Sequence, residues 1–216
     1  MLFIAFISSK IFNSSESLLE FLRKNVSEND KLIAGIKKRI YELIIEYLQR
    51  RPLQMTAYLP QVRETCMRSF LGDPNSLVKE AALQLLLKII DHFHSAALKP
   101  IIQPKELVNR LLDEIKLRRP SASVKGTIWN LIGVCHKKFG PELQEFRVES
   151  QDQMYRELKD QLGSSRPEFR SIVGIIKGLS QSLEDGCTLD PEEIEGLFVR
   201  VKTAMQPIPD LRHKGV

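Results

Sequence analysis

The side chains of this 216-residue chain that could do chemistry are four histidines, three cysteines and 27 acidic residues, and their spacing limits what they can do. His92 and His94 lie two apart beside Asp91. On a helix that spacing turns the two imidazoles to different faces, which suits a solvated helix end better than a shared metal ion. Cys135 and His136 are adjacent, which also points them apart and leaves no thiolate–imidazole pair. Cys66, Cys135 and Cys187 are an odd number at wide, irregular intervals, two of them at positions expected in the core, so they read as reduced structural thiols. Glu192, Glu193 and Glu195 fall in the first turn of an expected helix, where the macrodipole accounts for them. Neither glycine-rich phosphate loop occurs, and no H-R-D or D-F-G run marks a kinase lobe. No cofactor or metal is expected, and without a convergent acid, base and nucleophile a small helical enzyme is the weakest reading.

Charge says more. The chain carries a net +5, enough to favour an anionic partner. Its basic residues gather at expected helix ends and turns: Arg50 and Arg51, then Lys116, Arg118, Arg119 and Lys125, then Lys137 and Lys138, then Arg166 and Arg170. Such an edge could track a phosphate backbone without reading sequence. The competing explanation is a solvated face whose lysines complement helix dipoles. The candidate DNA-contacting residues are Lys116, Arg118, Arg119, Lys125, Lys137 and Lys138.

The elements that must position these residues repeat. Helices with one apolar stripe are expected to begin near Lys31, Ser76, Ser121 and Arg166, a step of about 45 residues and the period of HEAT-type helix pairs. In the first, Leu32, Ile33, Ile36, Ile40, Leu43, Ile44, Tyr47 and Leu48 recur at three and four residues. Arg50, Arg51 and Pro52 end it, and its partner carries Leu59, Val62, Cys66, Met67 and Phe70. The second unit has Leu85, Leu86, Ile89 and Ile90, a turn from Pro100 to Pro104, then Leu107, Leu111, Leu112 and Ile115. The third has Val124, Ile128, Leu131, Ile132, Cys135 and Phe139, then Met154, Leu158 and Leu162. Trp129, beside that stripe, is expected to pack between repeats rather than to stack on bases. The fourth has Phe169, Ile172, Val173, Ile176 and Leu179, then Ile194, Leu197, Phe198, Val201 and Met205.

No stretch alternates with period two, so the expected class is all-α, an α-α superhelix of HEAT or armadillo type. Its pairs should be antiparallel in a right-handed row, with Leu85, Ile89, Ile132, Ile172 and Ile176 buried between units. Residues 30–216 are read as about four such pairs and residues 1–29 as an incomplete leading repeat. The apolar start is too short for a membrane span and lacks a signal peptide's basic flank, so no membrane partner is expected. No polar capping repeat is visible at either end, which predicts a piece of a longer chain that self-associates or melts early when expressed alone.

Particular runs resemble a known family. Phe12-Asn13-Ser14-Ser15-Glu16-Ser17-Leu18-Leu19-Glu20-Phe21-Leu22-Arg23-Lys24, Ala82-Leu83-Gln84-Leu85-Leu86-Leu87-Lys88-Ile89-Ile90 and Ile176-Lys177-Gly178-Leu179-Ser180 are similar, in order and separation, to the N-terminal helical-repeat arm of the DNA-dependent protein kinase catalytic subunit family. The turn Lys116-Leu117-Arg118-Arg119-Pro120 and residues 129–136 add to the resemblance. It implies a nuclear location, a scaffold role beside Ku and double-stranded DNA ends in non-homologous end joining, and packing against other repeats of the same chain. It also implies that ATP and magnesium belong to serine/threonine kinase lobes lying outside this segment. None of these runs fixes a DNA-contacting position. A transport receptor or a chromosome-organising scaffold would share the periodicity, and would differ in acidic inner helices or flanking repeats.

Overall fold

A computed structural model describes residues 33–183 and, beyond them, Glu195, Gly196 and Val199. In chain order the helices are α1 (Ala34–Arg50), α2 (Pro52–Met55), α3 (Leu59–Gly72), α4 (Ser76–His92), α5 (Ser95–Ile102), α6 (Pro104–Arg118), α7 (Ala122–Phe139), α8 (Gln144–Gly163) and α9 (Phe169–Leu183). Short 3₁₀ turns at Thr56–Tyr58 and Gly140–Glu142 lead into α3 and α8. Among the described residues there is no strand. The readings of residues 1–29, Cys187, Glu192 and Glu193, and the fourth unit's second helix lie outside the described residues.

The leading helices start at Ala34, Ser76, Ala122 and Phe169, so the repeat is real and its step is 42, 46 and 47 residues. They form one row, α1 on α4, α4 on α7 and α7 on α9, while α3, α6 and α8 each pack on the leading helix of the following unit. A helix held between two neighbours must be apolar on more than one side. In α4, Val78, Ala82, Leu83, Leu85, Leu86, Ile89 and Ile90 are all buried. The partner stripe Leu59, Val62, Cys66, Met67 and Phe70 is buried as its spacing requires, and so is the α7 stripe. Trp129 is buried between units. Together these side chains join a single apolar core that runs through every described unit.

Each turn has a local cause. Asn75 caps α4 by accepting from the Leu77 amide at 2.9 Å, and Asp73 accepts from the Asn75 amide at 2.9 Å, which fixes the approach. The expected Pro100 to Pro104 turn is shorter than the sequence implied, because Pro100 lies inside α5. Pro100 is the sixth of eight residues there, so its missing N–H forfeits one bond, to the Ala96 carbonyl, and the helix ends two residues later. The chain turns only at Gln103, whose φ of 52° is left-handed, and Pro104 then opens α6.

The fourth unit departs from the expected stripe. Ile175 is fully buried, whereas Ile176, expected in the core, is 36% exposed, and Phe169 and Val173 also face outward. The cause is glycine. A Cβ at Gly126 would overlap the Arg170 carbonyl, one at Gly133 or Gly174 would run into the backbone of Gly178 or Gly126, and one at Gly178 would meet the Trp129 carbonyl. The backbones of α7 and α9 therefore touch, and α9 must turn its Gly174 and Gly178 edge toward α7. That rotation brings Ser171, Ile175 and Ser182 inward and carries Phe169, Val173 and Ile176 out. At the other end of the array, Ile33 and Ile36 of the first expected stripe are also exposed, while Lys37 and Tyr41 are buried in their place.

Candidate nucleic-acid interface

Of the six candidate residues, the structure brings four together. Lys116 and Arg118 occupy the last turn of α6, Arg119 caps it with a left-handed φ of 45°, and Lys125 sits in the first turn of α7 just across the Pro120 turn. Lys137 and Lys138 lie at the far end of α7. Twelve residues of helix separate them from Lys125, roughly 18 Å at 1.5 Å per residue. The six do not share one edge: the second and third basic clusters flank opposite ends of the same helix.

Their charges are partly committed. The Lys116 Nζ lies 2.9 Å from a Glu149 carboxylate oxygen, with both side chains half exposed. Arg118 donates to the Leu71 carbonyl at 2.9 Å and stands 3.5 Å from the Glu114 carboxylate. Lys125 pairs with Glu157 at 2.8 Å in a largely sheltered site. Lys138 donates to the Asp91 carbonyl at 3.4 Å, and Lys137 also has an interaction. Arg119 is exposed and has no ion pair among the described residues. An exposed pair is worth little and yields easily to a phosphate, so Lys116, Arg118 and Arg119 form the accessible group, and Lys125 is the least free.

Sequence reasoning missed what Lys125 belongs to. The fourth residue of α1, of α4 and of α7 is a lysine in each case, and each reaches an acid in the second half of its own unit. Lys37 pairs with Asp73 at 2.9 Å, Lys79 with Glu114 at 2.9 Å and Lys125 with Glu157 at 2.8 Å. The same clamp thus recurs in three successive units and ends at α9, whose fourth residue is Ile172. Lysine returning at the repeat step was the signal in the sequence. Glu114 serves twice, since Arg118 approaches its second oxygen, so the accessible basic edge is tied to the second clamp.

The candidate chemical groups are placed as packing. His92 and His94 are exposed at the end of α4 and the start of α5, and the His92 ring lies edge-on to Phe93. Burial pushes the Cys135 thiol up to about 12 and the Cys66 thiol higher still, so neither forms a thiolate near neutral pH. His136 is buried with Nε2 2.8 Å from the Ser150 hydroxyl, which itself donates to the Phe146 carbonyl at 2.7 Å. With that hydroxyl proton committed, the imidazole donates from Nε2, and its buried Nδ1, which has no hydrogen-bond partner, suits a neutral ring with no proton there. Burial, and then the Arg147 charge, hold its pKa down at about 4. Among the described residues no group of three or more histidine, cysteine or acidic side chains could hold a metal ion, and no helix is long and apolar enough to cross a membrane.

Comparison with known proteins bears out the family resemblance. The family model described as DNA-PKcs, N-terminal, matches residues 5–208. The chain is 25% identical over 227 residues to the DNA-dependent protein kinase catalytic subunit of Canis lupus familiaris, covering 99% of the chain and 5% of that relative. It is 25% identical to the protein of the same name from Dictyostelium discoideum over 94% of the chain, and 24% identical to that of Mus musculus over 96%. The chain spans about 5% of the length of each of these relatives.

Proposed function

Because the chain belongs to the DNA-PKcs N-terminal family, we propose that it is a scaffold segment of a DNA-dependent protein kinase catalytic subunit, and that it helps engage Ku and double-stranded DNA ends in the nucleus during non-homologous end joining. The observation that carries this reading is the family match, which runs through the whole described array. The segment itself performs no catalysis in this reading: it holds a surface in place, and ATP and magnesium act elsewhere in the longer protein. Lys116, Arg118 and Arg119, at the α6–α7 turn, supply the contacts to DNA, with Lys125 held back by Glu157 and with Lys137 and Lys138 forming a separate group. Lysine and arginine at turns reach phosphates rather than base edges, so binding is weak and indifferent to sequence.

The test is assembly on a DNA end. A fluorescein-labelled blunt duplex loaded with Ku is titrated with the 216-residue chain and resolved on a native gel. A slower band containing Ku, duplex and chain is expected, and it should weaken steeply with salt. Unchanged mobility at every chain concentration, with the chain shown to be folded, would remove the Ku and DNA-end role.

A further inference from the structure

The row of leading helices carries a second surface, lined by none of the six candidate residues. The ninth residues of α4, α7 and α9 are Gln84, Asn130 and Lys177, and all three line one open groove of about 340 Å³. One polar side chain per helix therefore stands along the groove, where an extended peptide crossing the three helices meets them in turn. The Gln84 amide is steadied by donating to the Thr127 hydroxyl at 3.4 Å, and Thr127 in turn donates to the Ser123 carbonyl at 3.0 Å. The α9 wall adds Arg170, one ridge from Lys177, and neither cation is in an ion pair among the described residues. The α9 rotation that exposes Phe169 and Val173 gives that wall an apolar rim.

We propose that this groove binds an extended acidic peptide segment of a partner protein across α4, α7 and α9. Gln84 and Asn130 bond its backbone, Lys177 and Arg170 meet its carboxylates, and a bulky apolar side chain lies against Phe169 and Val173. Two features favour a peptide over a nucleic-acid backbone. The apolar rim has no counterpart on phosphates, and Glu80 on the α4 wall repels a continuous line of negative charge. Glu80 also sets direction, because the groove runs from an acid through two neutral amides to two cations. The peptide's acidic end therefore lies over α9.

The probe is a fluorescein-labelled peptide, Ac-AEFEELA, titrated with the full 216-residue chain by anisotropy beside its charge-reversed form, Ac-AKFKKLA. Lys177→Glu should weaken the acidic peptide about tenfold and strengthen the reversed one, while Asn130→Ala should weaken both by about threefold, since it serves the backbone. Lys177 is exposed, so helical content by circular dichroism should not change, and Arg170→Gln provides a milder second variant. Equal affinities for wild type, Lys177→Glu and Arg170→Gln would overturn the proposal. So would indifference to the sign of the peptide's charge. If a blunt duplex competes for the groove with the same dependence on Lys177, the surface belongs to nucleic acid and the peptide reading is wrong. The groove and the α6–α7 edge share no residue, so either reading can fail alone.

Discussion

Lys79→Met isolates the repeated clamp. Lys79 Nζ lies 2.9 Å from Glu114, and the two side chains are only 16% and 3% exposed. At an effective dielectric of about 20, the gross attraction at that distance is about 6 kcal/mol. Desolvation of the two ions offsets most of it, so the intact pair gains little over two apolar side chains. Removing the lysine alone is different, because Glu114 stays buried with its charge. That costs about 3 kcal/mol, at the low end of the range for broken buried pairs, since Arg118 still lies 3.5 Å from the second oxygen. For a chain of this length the melting temperature should fall by about 6–12 °C. Lys79→Met combined with Glu114→Met should return to within about 1 kcal/mol of wild type, giving a coupling of about 2 kcal/mol or more. Urea unfolding followed by circular dichroism on all four proteins measures it. A single variant within about 0.5 kcal/mol of wild type, or a double variant as unstable as the sum of the singles, would refute the reasoning.

The glycine crossing makes a second contrast: Gly133→Ala should cost about 3 kcal/mol or more because its Cβ would overlap the Gly178 backbone, whereas Gly35→Ala, with nothing within 4 Å of its Cβ in the first turn of α1, should gain about 0.5–1 kcal/mol; thermal melts rank the two. His136 sets a pH dependence. Its folded pKa, near 4, lies below the ordinary 6.5, so the unfolded chain takes up the proton first. Stability should be level above about pH 6.5 and fall by about 3 kcal/mol, to order of magnitude, as pH drops toward 4. Urea midpoints across that range for wild type and His136→Gln check this, with the variant expected to lose that part of the slope.

The periodicity of the leading helices, their starting points to within three residues, and the burial of Cys66, Cys135 and Trp129 were all legible, because each rests on local spacing of large apolar side chains. The rotation of α9 was not. Phe169, Val173 and Ile176 make as regular a stripe as the true one, and only the close approach of Gly126, Gly133, Gly174 and Gly178 decides between them. That approach joins residues more than 40 positions apart, and a glycine in a helical pattern reads as a weak position rather than as an interface. The clamps were hidden for a related reason. Lys37, Lys79 and Lys125 look like solvated charges until Asp73, Glu114 and Glu157 are known to meet them. The basic residues near α7 are close in sequence, yet a helix between them carries Lys137 and Lys138 to the opposite end.

Duplex binding over a salt series tests the central claim most directly. Arg118→Gln with Arg119→Gln removes two charges without placing a carboxylate beside Glu114, and neither residue is in the core. Anisotropy with a blunt duplex should show wild-type affinity collapsing with salt, and the variant should flatten the log–log slope by about two units, at roughly 0.9 for each phosphate that the protein neutralises. Lys137→Gln with Lys138→Gln should leave that part of the slope in place, since those residues lie at the other end of α7. Equal affinities and equal slopes for wild type and the Arg118 and Arg119 variant would contradict the account and move the DNA-binding role away from the α6–α7 edge.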